Sequence, residues 1–405
     1  MQTQSSIDLA INNESRKKII IVNNNMKIGG IQKALLNLLN EISSLYDVTL
    51  CLLNNAGEYS EKLPKGVKVV ECNSLYKYFG MSQAESKQGI CDFVCRTSLA
   101  VMMRFFGRKF TTRFISIFSK KIDTEYDCAI SYMHDSSDHT LYGGCNDFVL
   151  SKINAKKKIT FLHCDYQNYG GNYKTNNEIY ERFDIIAACS EGCRKSFLKV
   201  LPHLEFKTKT VINCHNFEEI IALSNEDAMI YDDQYVNAII VARLGQEKGV
   251  DRAIRAARFA LDRNAKVKLH IVGNGMMMDE LKRLCAELGV CENVVFYGAQ
   301  TNPYRYMKNA DLLFVPSYHE AAPLVIDEAL CLGVPVLSTR TTSSEDMILH
   351  RYCGWVCENN QDGINNMFCE ISSNIDEISA KKDSILSRGA ANNGEALTMF
   401  EEILF

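Results

Sequence analysis

The segment YHEAAPLVIDEALCLGVPV, Tyr318 to Val336, holds two glutamates, Glu320 and Glu328, with seven residues between them in an otherwise nearly apolar run. A carboxylate buried without a partner costs several kcal/mol. Glu328, set among Leu324, Val325, Ile326, Ala329, Leu330 and Leu332, therefore needs a compensating donor. Pro323 suits the first turn of a helix, which puts Glu320 in the preceding loop and Glu328 on the helix. A carboxylate can accept two hydroxyl hydrogen bonds in the geometry of a ribose diol; a salt bridge on the helix is the alternative. In VARLGQEKGVDRAIRAA, Arg243 and Lys248 lie just ahead of another helical pattern. A guanidinium grips two phosphate oxygens, an ammonium adds a compact charge, and helix amides add to the field. The pair reads as a diphosphate clamp or as two solvated cations. In IVGNGMMMDELKRL, Gly273 and Gly275 begin a dinucleotide-type turn, but Met278 stands where its third glycine belongs. That is weak for a nicotinamide site and suited to backbone approaching a nucleotide. In TFLHCDYQNYGG, His163 ends an apolar run, with Asp165 two residues on. A lone histidine there is usually structural; its place at a strand end favours a site.

These residues need elements that aim them at one cleft. Short apolar runs alternate with helical patterns along the chain. Lys18–Asn23, 47–53, 67–72, 127–132, 158–163 and 184–189 read as strands. Ile31, Leu35, Leu38, Ile42 and Leu45 recur at helical spacing after Gly29-Gly30. The grammar restarts after about residue 215, with strands at 237–242, 268–273, 293–298 and 311–317 and a junction near 213–227. The expected fold class is α/β: two doubly wound parallel-sheet domains facing a cleft, residues 1–215 and 216–388, with 389–405 a terminal helix. In such sheets ligands bind beyond the carboxyl ends of the strands.

Bulk properties exclude several classes. The 405 residues are 46% hydrophobic and 23% charged, with a net charge of -4, so no nucleic-acid partner is expected. The 16 cysteines include no C-x2-C pair. Three C-x3-C pairs, Cys91/Cys95, Cys189/Cys193 and Cys353/Cys357, lack a histidine at ligand spacing, so they read as reduced core thiols rather than zinc ligands. The polar start, MQTQSSIDLAINNESRKK, does not read as a secretory leader. No apolar run approaches the ~20 residues of a membrane span. Residues 96–121 carry seven basic and no acidic residues. Leu99, Met103, Phe106, Phe110, Phe114 and Ile117 fall on one helical stripe there. Such a helix lies on an anionic membrane surface or packs on the sheet with a solvated basic face.

The ordered set of motifs resembles retaining glycosyltransferase family 4, with the GT-B architecture. ARLGQEKGVDRAIRAA, IVGNG, EAAPLVIDEALCLGVPVLST and CGWVCENNQDGI are similar to successive family blocks, and IVNNNMKIGGIQKALLNLL to the N-terminal glycine loop. The resemblance is specific over 236–360 and looser over 18–215. It implies a cytoplasmic hexosyltransferase, peripheral on the inner membrane face, that takes a nucleotide-sugar donor, by default a UDP-sugar. Its acceptor would be a polysaccharide, oligosaccharide or lipid-linked saccharide. Arg243 and Lys248 would bind the diphosphate and Glu328 the ribose; Glu320 would face the transferred sugar, and His163 would lie near the reacting centre. Gly29 and Gly30 would let the first domain close on the donor. Gly273, Gly275, Ala322, Pro323, Leu324 and Val325 would complete the donor site. With no D-x-D pair in the chain, neither a metal nor a separate cofactor is expected. Four positions depart from the family's glycines: Ala242, Ala321, and Ser343 and Ser344 in TTSSEDM. A nucleotide-sugar epimerase and a non-catalytic binding protein on the same scaffold are the competing expectations.

Overall fold

A computed structural model describes residues 16–404, apart from 73 and 136. The stretch 1–15, which holds most of the polar start, lies outside the described residues. Every run read above as a strand forms one. The first sheet comprises β1 (Lys18–Asn23), β2 (Asp47–Leu52), β3 (Lys68–Glu71), β4 (Ile122–Ser131), β5 (Ile153–Leu162), β6 (Ile185–Ala188) and β7 (Thr208–Thr210). The second comprises β8 (Val236–Val241), β9 (Val267–Val272), β10 (Val294–Gly298), β11 (Leu312–Val315), β12 (Val336–Thr339) and β13 (Gly354–Cys357). Their orders are 3-2-1-4-5-6-7 and 10-9-8-11-12-13, and every neighbouring pair is parallel. In each sheet the order reverses beside its first strand, at β1/β4 and at β8/β11.

Unbroken apolar runs make these strands because both faces of a parallel sheet are covered. In β1, Ile19 and Ile21 enter one core and Ile20 and Val22 the other, as a side-chain period of two requires. In β8, Ala238 and Ile240 face one layer and Ile239 the opposite one. The helix Gly394–Leu404 seats Ala396, Phe400, Ile403 and Leu404 against Ile19, Ile21 and Leu35 of the first domain. All 16 cysteines are free thiols, most of them buried. No helix among the described residues is long and apolar enough to cross a membrane.

Two helical expectations need correction. The helix after the glycine pair runs Gly30–Ile42 and buries Leu35, Leu38 and Ile42, but Leu45 lies beyond its end and is exposed. The basic stripe at 96–121 is not continuous. The helix Ile90–Ile117 is broken at Gly107, whose φ of 74° and ψ of 175° leave the helical region. Beyond that break Arg108, Thr111, Thr112 and Ile115 turn inward at i, i+3, i+4 and i+7. Phe106, Phe110 and Ile117 are thrown outward. Arg108, expected on a solvated basic face, is fully buried. It pairs with Asp135 at 2.5 Å and Asp147 at 2.7 Å.

Candidate active site

The carboxyl ends of the two sheets face a common cavity of about 780 Å³. The loop after β1 brings Gly29 and Gly30 to it, β5 brings His163, and β8 brings Arg243 and Lys248. Gly273 arrives after β9. The stretch after β11 brings Glu320, Ala322, Pro323, Leu324, Val325 and Glu328. The placement follows from topology, since the reversal in strand order opens a crevice outside the strand ends. Gly275 is the exception: it does not border the cavity. A Cβ there would lie 2.4 Å from the Leu244 carbonyl, so its glycine serves close packing. Gly273 has a φ of 146°, and a Cβ on it would lie 1.8 Å from the Ala242 carbonyl oxygen. Gly30 has open space where a side chain would stand.

The cations are held by carboxylates. Lys248 Nζ donates to Glu320 Oε1 at 2.7 Å, and Ser317 Oγ donates to the same oxygen at 2.7 Å. Arg243 Nη2 donates to Glu247 Oε1 at 2.6 Å and is otherwise largely exposed. Gly249, in the left-handed region at φ 60°, turns the chain just after Lys248, and a Cβ there would strike the Pro316 carbonyl. Both cations border the cavity, but no direct bond joins them among the described residues. An anion between them would have to draw them off Glu247 and Glu320.

Glu328 lies on the helix Leu324–Cys331 with its side chain 6% exposed. Its compensating donor comes from the other domain. Lys33, on the helix Gly30–Ile42, donates to Glu328 Oε1 at 2.5 Å and also contacts the Tyr304 hydroxyl. Tyr304 Oη donates to that same carboxylate oxygen at 3.4 Å. Burial alone lowers the Lys33 pKa, but Glu328 and Tyr304 outweigh it and hold the ammonium above its usual value. No bond to Glu328 Oε2 forms among the described residues, which leaves that oxygen for a hydroxyl. The salt-bridge alternative is thus what the structure shows on Oε1. Lys33 and Tyr304 were not singled out from sequence. The available signal was a lysine one turn into the helix that follows the glycine pair.

His163 packs between Tyr132 and Phe161, with ring centroids 4.7 and 5.7 Å away. Burial pushes its pKa down to about 3, with His134 adding to the effect. Its Nε2 is buried and has no hydrogen-bond partner among the described residues, and a neutral imidazole borders the cavity. Asp165, two residues on, serves a different end. It accepts from Ser196 Oγ at 2.5 Å and from Thr342 Oγ1 in the second domain.

Positions that depart from the family glycines take part in the same interdomain contact. Ser343 Oγ donates to the Ala321 carbonyl and lies 2.6 Å from Ser190 Oγ, which itself donates to that carbonyl at 3.1 Å. A Cβ on Gly192 would fall 1.9 Å from the Thr342 carbonyl oxygen. Serines here stitch the two domains together below the cavity. Among the described residues no group of three or more His, Cys, Asp or Glu side chains is placed to hold a metal ion.

Comparison with known proteins bears on the fold and the family. Residues 229–377 match the family model for glycosyl transferases group 1. An uncharacterised glycosyltransferase of Methanocaldococcus jannaschii is 31% identical over 165 residues, 40% of this chain and 40% of that one. The N-acetylgalactosamine-N,N'-diacetylbacillosaminyl-diphospho-undecaprenol 4-alpha-N-acetylgalactosaminyltransferase of Campylobacter jejuni is 23% identical over 312 residues, 77% of each chain. Among solved structures, Anabaena HepE in complex with UDP superposes with a TM-score of 0.63 at 15% identity, covering 95% of this chain and 98% of that one. The match spans half or less of the length of the first two archaeal relatives. The architecture is GT-B, and its second domain belongs to the glycosyl transferases group 1.

Proposed function

We propose that this chain is a retaining hexosyltransferase that moves a sugar from a UDP-sugar to a saccharide or lipid-linked saccharide. One observation carries the reading: Arg243, Lys248 and Glu328 border a single cavity at the switch points of two facing parallel sheets. Two cations and a carboxylate spaced around one crevice match the diphosphate and ribose of a nucleotide sugar. The UDP in the HepE complex supports the choice of base, and the diphospho-undecaprenol in the Campylobacter enzyme's name supports a lipid-linked acceptor.

In the transfer, the bond between the anomeric carbon and the diphosphate oxygen breaks, and its electron pair leaves with UDP. Arg243 and Lys248 stabilise that growing charge more in the transition state than in the ground state. The amino end of the helix Leu324–Cys331 lends its amides to the same oxygens. The acceptor oxygen bonds to the anomeric carbon from the departing side, and its proton passes to the leaving phosphate. Retention then needs no enzymic nucleophile, in keeping with Glu320 being tied to Lys248 and Ser317. His163 borders the transferred sugar as a neutral imidazole. The cations make the transfer metal-independent, so activity persists in chelator. The protein works in the cytoplasm, peripheral on the inner membrane face through residues 96–121, without a nucleic-acid partner.

The test is nucleotide release from a panel of UDP-, GDP- and ADP-sugars with candidate acceptors. Release with one UDP-sugar, lowered about 100-fold or more by Arg243→Ala, is expected. Release that is indifferent to Arg243→Ala and Glu328→Ala overturns the reading.

A further inference from the structure

A second cavity, of about 750 Å³, lies in the first domain and shares no lining residue with the site above. Its walls come from the distal half of the helix Ile90–Ile117, from the helix Cys145–Lys152 and from the helix Lys174–Tyr180. Five cations line it: Lys109, Arg113, Lys121, Lys152 and Arg182. The two lining carboxylates are already taken, Asp147 by Arg108 and Glu178 by Lys109. Arg113, Lys121 and Arg182 make no ion pair among the described residues. Lys152 is buried and donates only to the carbonyls of Ser116 and Ser119, at 2.6 and 2.9 Å. Burial and then Lys121 lower its pKa, so the group feels its like-charged neighbour. A concave wall of uncompensated like charge is a cost that a bound anion relieves, and the guanidiniums suit phosphate oxygens.

The rim indicates what carries that anion. Ile117 lines the cavity and is 73% exposed; Phe106 and Phe110 on the same helix, and Phe118 just past its end, are more than half exposed. Phe106 and Phe110 pair at 5.2 Å, and Phe114 and Phe118 at 5.0 Å. A soluble phosphate would fill the cavity and leave these rings in water. A lipid satisfies both, with its phosphate among the cations and its acyl region against the rings.

We propose that this cavity takes the phosphate of a lipid headgroup, held by Arg113, Lys121 and Arg182, while Phe106, Phe110, Ile117 and Phe118 enter the membrane surface. The inference rests on the functional reading only in expecting a membrane nearby; it requires no transfer reaction.

The experiment is sedimentation of the full chain with vesicles of phosphatidylcholine alone or mixed with phosphatidylglycerol, with calorimetry of inorganic pyrophosphate and of UDP on the same samples. The wild type binds the mixed vesicles and leaves the neutral ones. Lys121→Gln weakens vesicle binding about fivefold. Arg113→Gln with Lys121→Gln and Arg182→Gln weakens it tenfold or more, with UDP affinity unchanged. Phe110→Ser with Ile117→Ser loses the vesicles but keeps the part of pyrophosphate binding that the triple charge variant loses, binding at Arg243 and Lys248 being common to every sample. Equal binding to both vesicle types, or vesicle binding indifferent to the charge variants, overturns the proposal. So does pyrophosphate binding that the triple charge variant abolishes, found without vesicle recruitment, which assigns the cavity to a soluble phosphate. Loss of UDP binding by the wild type would sink the transferase reading while leaving the vesicle result standing.

Discussion

Glu328 shows what single residues can and cannot disclose. Its apolar neighbours announce that a buried carboxylate needs a partner, and Pro323 places Glu320 in the loop and Glu328 on the helix that follows. The partner, Lys33, stands 295 positions away, and no local spacing reveals it. On the proposed reading, replacing Glu328 with Ala removes the one charge-assisted hydrogen bond its Oε2 can offer the ribose, worth about 1.5–3 kcal/mol. UDP affinity should fall about 10- to 100-fold, read by titration calorimetry. Lys33→Met acts differently, because it strands the Glu328 carboxylate rather than removing it. It should cost about 1–3 kcal/mol of stability, measured by urea denaturation, and the double variant Lys33→Met/Glu328→Gln should recover much of that loss. His163 is neutral across the working range, since burial holds its pKa near 3. The pH–rate profile should therefore show no inflection from this residue between about pH 5 and 9, and His163→Gln should lower the rate without reshaping the profile.

At the scale of elements, buried parallel strands were the most legible feature, because a strand covered on both faces is a short unbroken apolar run. β7, β12 and β13 were not read as strands. β7 is three residues, Thr208–Thr210, without an apolar side chain. β12 and β13 are no shorter than β3, β6 and β11, but β12 is half Ser and Thr and β13 opens on a glycine, so neither is an unbroken apolar run. The helix Ile90–Ile117 was misread for another reason. Its stripe assumed one unbroken 3.6-residue repeat, and a single glycine at 107 resets the phase. Arg108 explains why the break persists: its guanidinium bonds Asp135 and Asp147 and the Tyr142 carbonyl. Arg108→Met should leave Asp135 as an uncompensated buried charge and destabilise the first domain by about 3–5 kcal/mol. Differential scanning calorimetry would then show the first domain unfolding at a lower temperature.

For the whole molecule, the restart of strand-helix grammar made two facing domains readable, whereas the stitching between them was not. Asp165–Thr342, Ser190–Ser343 and Lys33–Glu328 join residues 150 or more positions apart, through side chains that are unremarkable in their own segments. Stability should also follow the buried histidines. Burial pushes His134 and His270 down to about 4 and His163 to about 3. The unfolded chain binds protons at all three below about pH 6.5, while the folded chain does not. Their penalty is absent above pH 7 and grows as pH falls from about 6.5 toward 4, by up to about 1.4 kcal/mol per pH unit for each histidine. Thermal unfolding should therefore move to lower temperature through that window, and His134→Phe should flatten the slope.

The central claim is that one crevice holds a nucleotide diphosphate and its ribose through Arg243, Lys248 and Glu328. Calorimetric titration of UDP into the wild type and into Arg243→Ala, Lys248→Ala and Glu328→Ala tests it most directly. The account predicts saturable one-to-one binding by the wild type, weakened tenfold or more in each variant. Absence of binding by the wild type, or equal affinity in all four proteins, would contradict it.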